Sequence, residues 1–242
     1  MARRPGNLRV GTSGYQYDDW RGRFYPKTLP KPAWFTHYAQ HFDAVELNAT
    51  FYGLPEAATF ERWREAAPRG FCYALKFSRY GTHIKRLKDA PNTIGLFVDR
   101  ARLLGPSLGP ILVQLPPRWH VNIARLATFL EAVPKQYRWA VQFRDPSWFC
   151  DETYALLRKR RVALCIHDLI DRHPRVRTAS WFYRRFHGDD SAGSYSPQAL
   201  SSAARRIRGH LANGHDVYAF FNNDVGGHAV RNAADLRRYV ER

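Results

Sequence analysis

Glu46, in the run Ala44-Val45-Glu46-Leu47-Asn48, is a carboxylate near the end of a short apolar segment, where most comparable segments end in amides or cations. A carboxylate at such a position is a candidate general acid or base. His187, between Phe186 and Gly188, is a second candidate, because an unperturbed imidazole titrates close to neutral pH. Lys76, Arg144 and Arg185 end or follow other apolar runs, with Arg79 three residues beyond Lys76. Brought together, such cations suit a phosphate or a carboxylate, arginine through its bidentate fork. Taken singly, each is more readily a surface residue or half of a structural ion pair with Glu46, Asp145 or Asp168. Asn48, Gln114, Gln142 and Asn223 offer neutral groups for orienting a ligand, and His83, in Tyr80-Gly81-Thr82-His83, adds another titrating group. Gly226 and Gly227 follow Asn222-Asn223-Asp224 and precede a helical pattern through Ala229, Ala233 and Leu236. Glycines there let backbone N–H groups approach an anion at a helix N-terminus, although Asp224 as a cap and tight glycine packing would account for the same residues.

Carboxylates are scarce where chemistry would need them. A glycosidase requires two carboxyl groups flanking the scissile bond, yet the fourth and fifth apolar runs end in Gln114 and Gln142. Glu46, His83, His167, Asp168, His187 and Asp224 are scattered potential ligands with no HxH or HExxH pairing, so no metal is expected. No nucleophile elbow, Walker loop or dinucleotide fingerprint occurs, and no cofactor is expected.

The elements that must position these residues recur in one pattern. Apolar runs at 8–10, 44–47, 71–75, 111–113, 139–141, 162–166, 181–186 and 217–221 each lead into a polar cluster, and most are followed by helical periodicity. Strand, polar tip and helix repeated eight times predict an α/β chain of the (β/α)8 TIM-barrel type, whose chemistry sits at the C-terminal strand ends. At 242 residues the chain is close to the roughly 250 typical of such a barrel, so residues 1–242 are expected to form a single domain. Helices are expected to begin near Pro32 and Ala57, over 93–104, 123–133 and 152–159, and from Pro197 behind an N-capping Ser196. Residues 168–180 carry little apolar content, so a helix is expected to be missing between strands six and seven. Aromatic residues after the first, second and fifth runs, Tyr52 among them, can pack the rim or stack a base or sugar.

The 38 basic residues against 21 acidic ones give a formal net charge of +17, and since only seven are lysine, 31 are arginine. Such a field favours anionic partners, DNA or RNA included, although charge alone identifies no site. Three cysteines without CxxC spacing argue against a disulfide framework. The basic N-terminus leads into no apolar segment of signal-peptide type, and no run is long enough to span a bilayer. A soluble, cytoplasmic protein without a membrane partner is expected.

Several blocks resemble the YecE-like family, a domain of unknown function. They are Val10-Gly11-Thr12-Ser13-Gly14-Tyr15, Val45-Glu46-Leu47-Asn48-Ala49-Thr50-Phe51-Tyr52, Lys76 with Thr82-His83, and Gly109-Pro110-Ile111-Leu112-Val113-Gln114-Leu115-Pro116-Pro117. Phe143-Arg144-Asp145-Pro146-Ser147-Trp148, Arg185-Phe186-His187-Gly188 and Phe221-Asn222-Asn223-Asp224 complete the series in family order. The resemblance implies a TIM-type barrel, and a likeness of such barrels to the endonuclease IV type points to DNA by analogy of fold alone. The family usually has Glu before the Phe-Arg of the fifth strand, where this chain has Gln142. The combined expectation is a phosphate-bearing ligand, with nucleic acid as first candidate, at the C-terminal strand ends. There Lys76, Arg144, Arg185 and the Gly226-Gly227 turn would hold the anion. The alternatives are a metal-independent isomerase, lyase or hydrolase of a small sugar phosphate or organic acid, and a non-catalytic binding protein in which Gln142 marks lost catalysis.

Overall fold

Each apolar run forms a strand: β1 (Leu8–Thr12), β2 (Ala44–Leu47), β3 (Cys72–Lys76), β4 (Leu108–Gln114), β5 (Trp139–Gln142), β6 (Ala163–Ile166), β7 (Trp181–Phe186) and β8 (Asp216–Phe221). In this computed structural model the described residues are 4–188 and 193–242; residues 189–192, within the glycine- and hydroxyl-rich stretch 187–193, lie outside them. The hydrogen-bonded strand order is β1-β8-β7-β6-β5-β4-β3-β2. Pairing is parallel in β1/β8, β3/β4, β4/β5 and β5/β6. Parallel neighbours need crossover connections, which the helices supply. Every residue of β2, β3, β5 and β6 is buried, the signature of strands covered on both faces. The fold class is α/β of the (β/α)8 TIM type, as the strand–helix alternation predicts.

The helices are α1 (Trp34–His41), α2 (Ala49–Tyr52), α3 (Ala57–Ala66), α4 (Ala90–Ala101), α5 (Ile123–Ala132), α6 (Asp151–Arg160), α7 (Pro197–Ala212) and α8 (His228–Glu241). Local chemistry explains their ends. Ser196 accepts a hydrogen bond from the Ala199 N–H, with Pro197 opening α7, and Gly214 beyond its end is left-handed. Helix α6 places Asp151 and Glu152 in its first turn and Arg158, Lys159 and Arg160 in its last, matching the helix dipole at both ends. Helix α4 starts earlier than its apolar spacing indicates, because Pro91 occupies its first turn, and it passes into a 3-10 stretch at Arg102–Ser107.

Contacts divide the chain into two compact units, Met1–Glu46 with Arg184–Arg242, and Leu47–Tyr183. In the first, β1 and β8 run in register from Leu8↔Val217 to Thr12↔Phe221, and a parallel bridge joins Ser13 to Glu46. The second holds β3 to β6. There the segment between β6 and β7 forms no helix, and the Thr178 hydroxyl donates to the Val162 carbonyl and accepts from the Leu164 N–H, tying the loop to β6. Among the described residues no helix is long and apolar enough to cross a membrane. The three cysteines are free thiols.

Candidate functional site

In the first unit the strand ends assemble around Arg185. Its Nη2 donates to Glu46 Oε1 at 2.8 Å, Asn222 Oδ1 at 2.9 Å and Ser13 Oγ at 3.1 Å. The Ser13 hydroxyl donates in turn to Glu46 Oε1. Glu46 is 0% exposed and Arg185 2%, so this is a desolvated ion pair. His187 Nε2 lies 3.1 Å from Arg185 Nη1; because a guanidinium can only donate, that nitrogen accepts and the ring proton sits on Nδ1. One guanidinium therefore links Glu46 to His187. Arg185, expected to hold an external anion, sits on an internal one.

The Gly226-Gly227 turn also meets an anion from its own chain. Both glycines are left-handed, and the Gly226 N–H donates to Asp19 Oδ2 at 2.8 Å. Arg23 and Arg231 donate to the Gly226 carbonyl at 2.9 and 3.1 Å. Asp224 does not cap through its side chain; burial, with a smaller push from the Asp19 charge, raises its carboxyl above the ordinary value. Asn223 faces inward: its Nδ2 bonds the Gly193 carbonyl and, at 2.9 Å, Asn232 Oδ1, fastening the 193–195 segment to α8.

In the second unit Lys76, at the end of β3, is 8% exposed, and its Nζ lies 4.1 Å from the centroid of Phe51. Phe51 belongs to α2, whose Thr50 hydroxyl donates to the Lys76 carbonyl at 2.8 Å; Asn48 is the residue before α2. The same ring meets His83 edge-on at 5.1 Å, and the Thr82 hydroxyl is 2.8 Å from His83 Nδ1. Burial, followed by the charges of Lys76, Arg79 and Arg144, lowers the His83 pKa from its ordinary 6.5 to about 4. His83 is thus neutral at pH 7, with the charges of three cations acting on it. Gln114 and Gln142 end β4 and β5 as register partners, and both are buried. Asp145 is held below its ordinary value chiefly by the Ser147 hydroxyl, within a local turn. His167 is structural in its contacts: Nδ1 accepts from the Leu169 N–H, so Nε2 donates to the Phe143 carbonyl.

The His83 shift has a thermodynamic consequence. Between about pH 4 and 6.5 the unfolded chain binds more protons at this residue than the folded protein does. Its contribution to stability is full above pH 6.5 and is lost as the pH falls through that window. In urea titrations, wild type should lose roughly 1 kcal/mol more than His83→Gln between pH 7 and pH 5, after allowance for solvent screening of a partly exposed ring. Equal losses in the two proteins would show that the ring is not desolvated among cations.

Ser13, Asn222 and Asp19 are the participants that sequence reasoning did not single out. Ser13 and Asn222 stand within the family blocks without a chemical signal of their own. Asp19, beside Asp18, is conspicuous only as an acidic pair ahead of a basic stretch.

The sequence model of the family described as "Protein of unknown function DUF72" matches residues 9–242. The UPF0759 protein YecE of Escherichia coli (strain K12) is 32% identical over 113 residues, which is 46% of this chain and 42% of that protein. The match therefore spans less than half of that relative's length. The UPF0759 protein YunF of Bacillus subtilis (strain 168) is 24% identical over 271 residues, covering 97% of this chain and 95% of the relative. Among solved structures, a DUF72 family protein from Thermotoga maritima has a TM-score of 0.86 at 26% identity, covering 98% of this chain and 100% of its own. A DUF72 family protein from Enterococcus faecalis reaches 0.81 at 20% identity over 97% and 96% of the two chains, a likeness of fold alone. Matched to the family model from residue 9 to residue 242, with the expected fold, the chain belongs to the DUF72 family.

Proposed function

We propose that this protein binds a phosphate-bearing ligand, with nucleic acid as first candidate, at the strand ends of the 47–183 unit. The observation that carries this reading is the packing about Phe51, whose ring has Lys76 Nζ at 4.1 Å and meets His83 edge-on at 5.1 Å, where the charges of Lys76, Arg79 and Arg144 reach the half-buried imidazole. Several cations acting at one partly buried place attract an anion strongly at low local dielectric. A phosphate, with oxygens on several sides, can take a fork from arginine and a point charge from lysine at once. Free thiols fit a reducing compartment and support a cytoplasmic location. A second reading, metal-independent catalysis on a small phosphorylated molecule, draws support from Glu46 and His187 being joined through the Arg185 guanidinium.

The test is fluorescence anisotropy with labelled single-stranded and duplex DNA at low and physiological salt. Lys76→Met/Arg144→Gln should weaken binding at least tenfold at physiological salt and reduce the slope of log K against log salt by about 2. The control is a basic pocket of about 230 Å³ just ahead of β5 and β6, lined by Lys135, Lys159, Arg160 and Arg161. Lys135→Ala/Lys159→Ala removes the same charge and should change affinity less than twofold. Equal losses in both variants would reduce the interaction to the net positive field and overturn the site.

A further inference from the structure

A groove of about 350 Å³ in the same unit is walled by Tyr52, Tyr80, Leu96 and Phe97, with Asp89 and Asn92 on its lining. Its walls are unusually wet for their chemistry: Tyr52 is 77% exposed, Leu96 60% and Tyr80 49%. Apolar rings and a leucine grouped at one concavity are a binding feature more often than a packing one.

The groove adjoins the cationic cluster through the neighbouring rings of Phe51 and Tyr52. Phe51 faces Lys76 Nζ and His83, and its ring meets that of Tyr52 edge-on at 5.1 Å. On the other side, Ser78 and Tyr80 line the groove with Arg79 between them. Lys85 Nζ lies 5.4 Å from the Tyr80 centroid. A phosphate held by Lys76, Arg79 and Arg144 therefore has an aromatic slot beside it.

We propose that this groove is a nucleobase subsite, so that the ligand of the cationic cluster is a nucleotide, free or as the end of a single strand. The inference rests on the anion-binding reading above and adds its chemical class. A nucleotide carries a flat ring at short reach from its phosphate, so it can fill the slot and the cationic cluster at once. Every base offers a π-face to Tyr52 and Tyr80, and stacking on aromatics is tolerant of base identity. Asn92 Nδ2 donates to Asp89 Oδ1 at 2.6 Å, which leaves the amide oxygen of Asn92 and the second carboxylate oxygen of Asp89 as acceptors suited to an exocyclic amino group.

The experiment is a titration of wild type and Tyr52→Ala/Tyr80→Ala with AMP and with ribose 5-phosphate, followed by NMR shifts of His83. AMP should bind wild type at least tenfold more tightly than ribose 5-phosphate. In the variant, AMP should fall to the level of ribose 5-phosphate while the latter is unchanged. Both tyrosines are exposed, so the variant should keep the wild-type melting temperature, which is checked first. Equal affinities of wild type for the two ligands would overturn the nucleotide subsite and leave the anion site standing. Failure of both ligands to bind wild type would overturn the anion reading and this proposal with it.

Discussion

Arg185→Met should lower stability by about 3–5 kcal/mol, because it strands a carboxylate in the interior. Glu46 is fully buried, and its Oε1 accepts from the Arg185 guanidinium at 2.8 Å as well as from the Ser13 hydroxyl. Taking that guanidinium away also deprives Ser13 Oγ and Asn222 Oδ1 of a donor. Glu46→Gln is the mirror change: it keeps the side-chain shape and removes the Glu46 charge from beside a buried cation, at a comparable cost. In urea denaturation at pH 7 each single variant should show a reduced midpoint with little change in slope, and a melting temperature lower by about 10 °C. The double variant Glu46→Gln/Arg185→Met should regain a good part of the loss, since an amide facing a thioether carries no unpaired charge. A coupling below about 0.5 kcal/mol in that cycle would mean that water reaches the pair and that its burial is not what the geometry indicates.

The ion pair also shows where sequence reading stops. Strands were legible because parallel strands covered on both faces must be continuous apolar runs, and residues at their ends are the first free to be polar. Helix α7 was legible because Ser196, Pro197 and Gly214 each have a local mechanism that requires no knowledge of the rest of the chain. The gap between β6 and β7 was legible from missing apolar content, although the hydroxyl of Thr178 that fills in for a helix was not. The start of α4 was misplaced because apolar spacing marks the buried face, whereas Pro91 marks the first turn. Partner choice was the largest loss. Glu46 and Arg185 are 139 residues apart, and Asp19 and Gly226 are 207 apart, so no spacing rule connects them. The residue types at the tips announced cations, a carboxylate and a glycine turn. Which of those groups meet inside the first unit is a tertiary fact. There Arg185 and the glycine turn each meet an anion of their own chain, and the anion-binding proposal is built instead on the contacts of Lys76 and His83 with Phe51.

Gly11→Ala should cost about 3 kcal/mol, more than one added methyl normally does, because the collision is with backbone. A Cβ at Gly11 would stand 1.9 Å from the Ala44 carbonyl oxygen and 2.9 Å from the Tyr38 hydroxyl. That hydroxyl is itself fixed: it lies 3.0 Å from the Ala44 carbonyl and accepts from the Thr12 N–H at 2.9 Å. Burial raises the Tyr38 pKa, so the hydroxyl keeps its proton to donate. None of these atoms is the loose end of a flexible side chain, so relief requires β1 to move away from Ala44. Ser13 is two residues further along, and its bridge to Glu46 depends on the same close approach. The same chemical change at Gly95 should have the opposite sign. Gly95 lies exposed within α4, and a Cβ added there would meet nothing within 4 Å, so Gly95→Ala should stabilise by about 1 kcal/mol through helix propensity. Urea midpoints for the two variants separate a backbone contact from the general conformational cost of glycine, which would give both the same sign. A loss below about 1 kcal/mol for Gly11→Ala would show that β1 shifts freely, and that the close approach does not hold Ser13 against Glu46.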